Sequence, residues 1–253
     1  MGLRVDLGGR RVLVTGASSG IGAATARTIV ECGGSVAMLA RRKDRLDELR
    51  GELGERALPF PCDVTDLPAL EAAIGDAATS LGGLDGVIAA AGKSMVGTIP
   101  TGSPERWREL FDLNLTAPLA TVRHALGHFP ETGRRDVVLV SSTGAITPMP
   151  GAGIYAASKR GQRAAFDALR LELAPIGVNV SCVMPGMFET EGLTIEGLVF
   201  DGDAPPDYIP WFAPGGGPAS PTELADVIAF MISRPEGLCI NELVIRPTGQ
   251  LNP

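Results

Sequence analysis

Short apolar segments alternate along this chain with longer segments whose apolar residues have helical spacing. Residues 11–15 predict a strand, residues 20–32 predict an alanine-rich helix, and the alternation continues to a last strand at residues 241–246. Strands that are apolar on both faces and separated by single helices are typical of a parallel sheet with helices on both sides. Because crossovers between parallel strands are right-handed, we expect a doubly wound α/β fold.

The pattern predicts seven strands and six helices within a single domain that spans residues 1–253. The strands are expected at residues 11–15, 35–40, 57–61, 86–91, 136–141, 178–183 and 241–246. The helices are expected at residues 20–32, 43–53, 67–81, 104–128, 154–174 and 222–232. No linker precedes residue 190 and no segment repeats another, so nothing indicates a second domain.

Residues 201–221 differ in composition from the rest of the chain. They contain six prolines and four glycines, which exclude a helix or an inner strand. They also contain Tyr208, Trp211 and Phe212, in a chain with few aromatic residues. Long loops of this kind are often lids, so residues 187–221 are expected to form a loop over the substrate. The alternative is a surface loop whose aromatic side chains pack under themselves.

Composition and charge exclude several classes of protein. The formal net charge of −7 argues against a nucleic-acid partner, and no apolar run is long enough to span a membrane. The first eleven residues lack the hydrophobic core of a secretory signal. The four cysteines lie far apart without a CxxC pair, which favours reduced thiols in a cytoplasmic protein. His124 and His128 share a predicted helix face, but no third ligand accompanies them, so no metal site is expected.

A glycine-rich turn joins the first predicted strand to the first predicted helix. Its sequence, from Thr15 to Gly22, is TGASSGIG. Gly16 permits a sharp turn out of the strand, Gly20 lets the backbone approach a pyrophosphate, and Gly22 lets the helix pack on the sheet. The free N–H groups at the helix start are then expected to face the phosphates. An ordinary tight turn is the alternative, but its position at the first strand–helix junction favours a dinucleotide site.

The end of the second predicted strand indicates which dinucleotide is bound. An NAD site needs a carboxylate there to accept from the ribose 2′-hydroxyl, yet the chain has Arg41 and Arg42 and no acid before Asp44. Guanidinium groups suit a 2′-phosphate by charge and by bidentate geometry. Two solvated arginines at a helix start are the alternative, but they would oppose the helix dipole. The sequence therefore favours NADP(H).

Tyr155 and Lys159 lie four residues apart in the helix predicted after the fifth strand. This spacing places the phenol and the ammonium on the same helix face, in a chain with only two tyrosines. A phenol has an ordinary pKa near 10, which is too high for proton transfer at neutral pH, and a neighbouring ammonium is expected to lower that pKa. For this motif alone, a surface tyrosine beside an incidental lysine is the alternative.

The glycine turn and the Tyr155–Lys159 pair together resemble the motifs of the short-chain dehydrogenase/reductase family, in its compact, single-domain, NADP(H)-dependent branch. The resemblance extends from residue 11 to about residue 249. It implies a Rossmann fold of about seven parallel strands, in the order 3-2-1-4-5-6-7, with helices on both faces.

The resemblance also implies a catalytic tetrad. Ser142, thirteen residues before Tyr155, matches the family's catalytic serine, and Asn114 matches the asparagine that completes the set with Lys159. In such a site Tyr155 is the general acid in reduction and the general base in oxidation, and Ser142 donates to the substrate oxygen. Lys159 also binds the nicotinamide ribose, and Asn114 holds a water molecule that links Lys159 to solvent.

Further residues match the family's cofactor contacts. Asp63 and Val64 match the pair that meets the adenine, and Arg41 matches the position that selects NADP. The expected cofactor-binding residues are Gly16, Ser18, Ser19, Ile21, Arg41, Arg42, Asp63, Val64, Ala91, Gly92, Tyr155, Lys159, Pro185, Gly186 and Thr190. One segment departs from the pattern, because residues 89–92 are Ala-Ala-Ala-Gly where the family has asparagine before Ala-Gly. This removes side-chain hydrogen bonds near the cofactor.

The function expected from these motifs is NADP(H)-dependent hydride transfer to or from a small or medium, apolar carbonyl or alcohol substrate. A non-enzymatic cofactor-binding or regulatory protein on the same scaffold is the alternative. An enoyl reductase is a third possibility, although that subgroup spaces its tyrosine and lysine differently.

Several apolar and charged residues carry more than one interpretation. An apolar substrate pocket or ordinary loop packing would explain Met149, Met187 and Phe188. Lys93 faces either an anionic substrate or the solvent. Either the core or an oligomer surface is expected to contain Trp107, Leu110 and Phe111. The oligomer surface would be the helical face through which family members form homodimers and homotetramers.

Overall fold

The alternation of strands and helices predicted from the sequence is present in the computed structural model, which describes residues 5–191, 199–202 and 216–251. The strands are β1 (Arg11–Thr15), β2 (Ser35–Ala40), β3 (Ala57–Pro61), β4 (Gly86–Ala89), β5 (Met95–Val96), β6 (Arg135–Val140), β7 (Val178–Pro185), β8 (Val199–Phe200) and β9 (Glu242–Ile245). The α-helices are α1 (Gly20–Glu31), α2 (Lys43–Leu53), α3 (Leu67–Leu81), α4 (Pro104–Phe111), α5 (Ala117–Leu126), α6 (Gly153–Leu173) and α7 (Pro221–Ile232).

Seven strands form one parallel sheet in the order β3-β2-β1-β4-β6-β7-β9. When only the strands of this sheet are counted, the order is the predicted 3-2-1-4-5-6-7, so the Rossmann prediction is confirmed. The pairing of β5 with β8 in a separate two-stranded sheet was not predicted, because strands of two residues leave no periodic pattern.

Apolar side chains on the two faces of the sheet build two separate cores. Along β1, Val12 and Val14 belong to the core under α1 and α7, whereas Leu13 belongs to the core under α3, α5 and α6. This alternation follows from the two-residue period of a strand. Both faces of the central strands are therefore buried, as the continuous apolar runs predicted.

The helix predicted over residues 104–128 is interrupted by a π turn at Asp112–Thr116, which lies between α4 and α5. In an uninterrupted α-helix the Asn114 carbonyl would accept from the N–H of residue 118, but that residue is Pro118. The proline therefore favours the change of hydrogen-bond pattern at this point. The prediction of one regular helix was wrong here.

The predicted lid, residues 187–221, lies largely outside the described residues, and so do its aromatic residues Tyr208, Trp211 and Phe212. Within this segment, Asp201 is a buried carboxylate. Asp201 accepts from the Ser103 backbone N–H at 3.0 Å and from the Trp107 indole N–H at 2.7 Å. Trp107 thus holds the start of α4 against the end of β8. Among the helices of the described ranges, none has the length and apolar character that crossing a bilayer requires.

Candidate active site

The predicted site residues gather at one edge of the sheet because parallel strands end on the same side. They follow the strand ends in this order: Gly16, Ser18, Ser19 and Ile21 after β1, Arg41 and Arg42 after β2, Asp63 and Val64 after β3, Ala91 and Gly92 after β4, Ser142 after β6, and Pro185, Gly186 and Thr190 at or after the end of β7. Asn114 lies in the π turn, and Tyr155 and Lys159 lie in the first part of α6.

The turn between β1 and α1 has the close backbone approaches that its glycines suggested. Gly16 has a φ of +71°, and a Cβ atom on it would lie 2.9 Å from the Ala91 Cα atom. A Cβ atom on Gly22 would overlap the Gly16 carbonyl oxygen. Ser19 precedes α1, yet its side chain makes no capping hydrogen bond, so in the part of the chain that the structure describes the first N–H groups of α1 lack a capping side chain. These groups fit a phosphate in charge and direction.

The Arg42 guanidinium is directed at this turn. It donates to the hydroxyls of Ser18 at 3.1 Å and Ser19 at 2.8 Å, and its other side lies 2.8 Å from the Glu191 carboxylate. Arg42 therefore connects the glycine turn with the segment that follows β7. A guanidinium and two hydroxyls at one point are a suitable donor set for a phosphate group.

Arg41 is largely exposed at the end of β2, with a guanidinium nitrogen 3.8 Å from the Asp63 carboxylate. The hydrogen bond from the Thr65 backbone N–H lowers the pKa of Asp63, and the charge of Arg41 acts in the same direction. The Asp63 carboxylate thus stays charged at neutral pH beside the Arg41 guanidinium. Val64 beside them is buried.

The segment after β4 is held by a residue that sequence analysis had not assigned to the site. The Thr15 hydroxyl accepts from the backbone N–H groups of Ala90 and Ala91, both at 3.2 Å. These bonds fix residues 90–92 without the asparagine side chain that the family pattern has at this place. The departure at Ala90 therefore leaves the segment anchored to β1.

Asn114 is fully buried and makes hydrogen bonds with every polar atom of its side chain. Its Oδ1 atom accepts from the Lys93 backbone N–H at 3.0 Å, and its Nδ2 atom donates to the Lys93 carbonyl at 2.9 Å and to the Ser158 hydroxyl at 3.1 Å. Its own carbonyl oxygen accepts from the Gln162 side-chain amide. Asn114 thus joins α6 to the segment after β4.

The Tyr155 side chain is partly exposed and has hydroxyl partners from two other segments. Burial raises the pKa of Tyr155, and the nearby hydroxyls of Ser142 and Ser94 act to lower it to a smaller extent. The Ser142 hydroxyl accepts from the Gly144 N–H at 3.1 Å, which leaves its own hydrogen available for donation. Phenol and serine hydroxyl can therefore reach one substrate oxygen together.

Lys159 is buried, and its ammonium donates to the Val140 carbonyl at 3.3 Å. The Nζ atom lies 5.9 Å from the centroid of the Tyr155 ring. Burial lowers the pKa of Lys159 to about 8. The expectation that Lys159 lowers the pKa of Tyr155 is not met in this structure, because the ammonium is directed at a carbonyl oxygen and desolvation of the phenol dominates.

The remaining candidates separate into core and surface residues. Phe188 is buried in the core under α1 and α7, which supports the loop-packing interpretation for it, whereas Met149 and Met187 are partly exposed. Lys93 is exposed. The imidazole of His124 lies 3.6 Å from the Glu71 carboxylate.

Ser94, Ser158 and Gln162 are site residues that sequence analysis missed. Ser158 and Gln162 lie three and seven residues after Tyr155, so the helical period places them on the same buried face of α6. Buried polar residues at that spacing were a signal that could have been used. No comparable signal exists for Ser94, because its place beside Tyr155 depends on a contact between distant segments.

Comparison with known proteins agrees with this geometry. The model of the short chain dehydrogenase family matches residues 10–195. A glycine betaine reductase, ATRR, of Emericella nidulans is 34% identical over 95% of this chain, which spans only 19% of that relative's length. An uncharacterized oxidoreductase of Mycobacterium tuberculosis is 35% identical over 95% of this chain and 92% of its own.

Solved structures give the same result. A dehydrogenase/reductase from Sinorhizobium meliloti has a TM-score of 0.83 at 28% identity, with 96% of both chains covered. An alcohol dehydrogenase from Thermococcus sibiricus complexed with 5-hydroxy-NADP has a TM-score of 0.82 at 25% identity and covers 96% of this chain and 99% of its own. A 3-ketoacyl-(acyl-carrier-protein) reductase from Brucella melitensis complexed with NADH has a TM-score of 0.82 at 26% identity, with 95% and 98% covered. The chain therefore belongs to the short-chain dehydrogenase family of oxidoreductases.

Proposed function

We propose that this protein is an NADP(H)-dependent oxidoreductase that reduces a small or medium, apolar carbonyl compound, or oxidises the corresponding alcohol. Asn114, Ser142, Tyr155 and Lys159 are its catalytic residues. The observation that carries the proposal is the meeting of the Tyr155 and Ser142 hydroxyls beside a buried lysine, at the sheet edge where the glycine turn lies. The bound nicotinamide supplies or accepts the hydride.

In the direction of reduction, Tyr155 gives its proton to the substrate oxygen as negative charge grows there. Ser142 donates a second hydrogen bond to the same oxygen and holds it in place. In oxidation the phenolate of Tyr155 removes the alcohol proton. Lys159, charged at neutral pH, would hold the nicotinamide ribose hydroxyls with its remaining N–H groups. A water molecule held by Asn114 would link this lysine with solvent and complete the path by which Tyr155 regains its proton.

Two features support NADP(H) over NAD(H). The end of β2 carries Arg41 and Arg42 in place of a carboxylate, and Arg42 already meets the hydroxyls of Ser18 and Ser19. A 2′-phosphate there would replace the contact with Glu191 and gain guanidinium donors from both sides. The two neighbours solved with cofactors contain an NADP derivative and NADH, so they do not favour either cofactor for this chain. The preference for NADP(H) is inferred from the residues of this chain alone.

We further propose that residues 1–253 form one domain in which residues 187–221 cover the substrate. Met187, partly exposed next to Gly186, supports an apolar wall on that side. We also infer a homodimer or homotetramer, which sedimentation equilibrium would test, and a cytoplasmic location without nucleic-acid, membrane or metal partners. Trp107 and Leu110 contribute little to an oligomer surface, because one binds Asp201 and the other is buried.

The test is oxidation of NADPH, followed by its absorbance, with a panel of ketones, aldehydes and quinones. The Tyr155→Phe variant is expected to lose about 100-fold or more of turnover, the usual contribution of a general acid, while NADPH affinity stays within twofold. A Phe variant as active as the wild type would overturn the assignment. Binding of NADPH without turnover on any substrate would favour the non-enzymatic alternative instead.

A further inference from the structure

Gln162 is a buried amide that the proposed function does not use. Its side chain is 1% exposed, and it lies on the face of α6 that also carries Ser158 and Lys159. Burying an amide costs free energy unless both of its ends are hydrogen-bonded, and an apolar residue would fill this position without that cost. A glutamine at this buried position therefore needs a hydrogen-bond partner for its amide.

The partner is the backbone of the π turn. The Asn114 carbonyl has lost its ordinary helical donor because residue 118 is proline, and the Gln162 amide N–H supplies the missing hydrogen bond. One turn earlier in α6, the Ser158 hydroxyl accepts from the Asn114 side chain at 3.1 Å. Two residues of α6 therefore hold both the main chain and the side chain of Asn114.

The geometry at the other end of Asn114 leads to the proton-transfer site. Asn114 binds the N–H and the carbonyl of Lys93, and the next residue is Ser94, whose hydroxyl lies close enough to Tyr155 to lower the pKa of that phenol. Tyr155 faces the ammonium of Lys159 on its own helix and, from the neighbouring segments, the hydroxyls of Ser94 and Ser142. Lys159 in turn interacts with the thiol of Cys182.

The amide oxygen of Gln162 is a second, independent observation. It is buried and has no hydrogen-bond partner among the described residues. An apolar side chain of similar length would avoid the cost of this unsatisfied acceptor. The N–H contact with Asn114 is therefore the use that the structure makes of Gln162.

We propose that Gln162 is a positioning residue of the active site: its amide holds Asn114 in the π turn and thereby fixes residues 93–94 so that Ser94 meets Tyr155. The proposal rests on the proposed function in so far as Tyr155 is the proton donor. When the amide is removed, the Asn114 carbonyl loses its donor, the π turn relaxes, and the Ser94 hydroxyl no longer stabilises the phenolate.

The test uses Gln162→Met, which keeps the length of the side chain and removes both polar ends. In a Tyr208→Phe background Tyr155 is the only tyrosine, so its ionisation can be followed by tyrosinate absorbance without cofactor or substrate. The variant is expected to titrate at a higher pH than its parent, because a hydrogen bond to the phenolate is lost. Its melting temperature is expected to stay close to that of its parent, since one unsatisfied buried oxygen is removed while the Asn114 carbonyl loses its donor.

With an active substrate in hand, Gln162→Met is expected to lower kcat about 10-fold to 100-fold, the range for a displaced catalytic group, and to move the pH profile in the same direction as the titration. KM for NADPH should change by less than about twofold. Phe166→Leu, one turn further along the same buried face, is the control: it should lower the melting temperature and leave both the titration and the pH profile in place.

The outcomes separate the two proposals. A Gln162→Met protein that melts earlier and titrates like its parent would show a merely structural role and overturn the inference. A shifted titration in a protein without any oxidoreductase activity would support the positioning role of Gln162 and contradict the proposed function alone.

Discussion

The Nζ atom of Lys159 lies 5.9 Å from the centroid of the Tyr155 ring and donates to the Val140 carbonyl oxygen, not to the phenol. Spacing along α6 brings the two side chains to one face, but the contact between them is indirect. Each therefore titrates mainly according to its own burial, which raises the pKa of Tyr155 and lowers that of Lys159.

Tyr155 is accordingly expected to ionise above the ordinary range of a phenol in the cofactor-free protein. Its tyrosinate absorbance is obtained as the difference between the wild type and Tyr155→Phe over an alkaline pH titration, because the chain has one other tyrosine. Ionisation near neutral pH would mean that burial does not dominate the pKa of Tyr155, contrary to this prediction.

Lys159 is expected to make stability rise with pH in the alkaline range. Its pKa is lowered from 10.5 to about 8 in the folded protein, so the unfolded chain binds more protons between these two values. Below about pH 8 the ammonium is charged in both states, and the folded protein bears the full cost of burying it. Above that pH the folded state releases the proton, and the cost decreases until the unfolded chain loses its proton near pH 10.5.

The free energy of unfolding of Lys159→Met relative to the wild type, measured by denaturant titration, is the test. The advantage of the methionine variant should be largest near neutral pH and should shrink between pH 8 and 10.5. An advantage that is constant with pH would mean that Lys159 keeps its ordinary pKa in the fold.

NADPH is expected to raise the melting temperature more than NADH, and Arg41→Asp should reduce that difference. Removing a guanidinium contact to a phosphate typically costs about 10-fold to 100-fold in affinity. The variant should therefore lose that much affinity for NADPH in a fluorescence titration and little for NADH.

Arg56→Asp makes the same change of charge in the exposed turn before β3, at the opposite edge of the sheet. It should leave the ratio of the two dissociation constants unchanged. Equal stabilisation of the wild type by NADPH and NADH would reject the role of Arg41.

Two glycine substitutions should have opposite effects on stability. Gly22→Ala places a methyl group on the Gly16 carbonyl oxygen, so α1 must move away from β1. The expected loss of stability is about 1–3 kcal/mol, together with a marked loss of NADPH affinity. Gly75 lies inside α3 with nothing near its Cα hydrogen, and Gly75→Ala should raise the free energy of unfolding by about 0.5–1 kcal/mol. Denaturant titration of both variants measures the difference, and two effects of the same sign would contradict it.

Local sequence patterns predicted much of the fold and many residues of the candidate site. Val12, Leu13 and Val14 are apolar in succession because both faces of their strand are covered, and that pattern is visible without coordinates. The glycine turn and the Tyr155–Lys159 pair are equally local, since a turn and a helical period act over a few residues. Alternating strands and helices then leave few topologies, and the strand order followed from them.

Contacts between distant segments were decided only by the tertiary structure. The pairing of Met95 with Val199, the seating of Trp107 on Asp201 and the hold of Gln162 on Asn114 join segments that no periodicity connects. The π turn also depends on a distant contact. Pro118 leaves the Asn114 carbonyl without a helical donor, but the sequence does not show which side chain donates to it.

The charge state of the site shows the same division. Sequence determined that a phenol and an ammonium share a helix face, since helical spacing is a property of neighbouring residues. Whether Lys159 lowers the pKa of Tyr155 depends on where its Nζ atom points and on how much water remains around both groups. Desolvation depends on everything that packs around a side chain, so only the tertiary structure determines the pKa values of the site. The placement of Tyr155 and Lys159 on one helix face follows from the sequence.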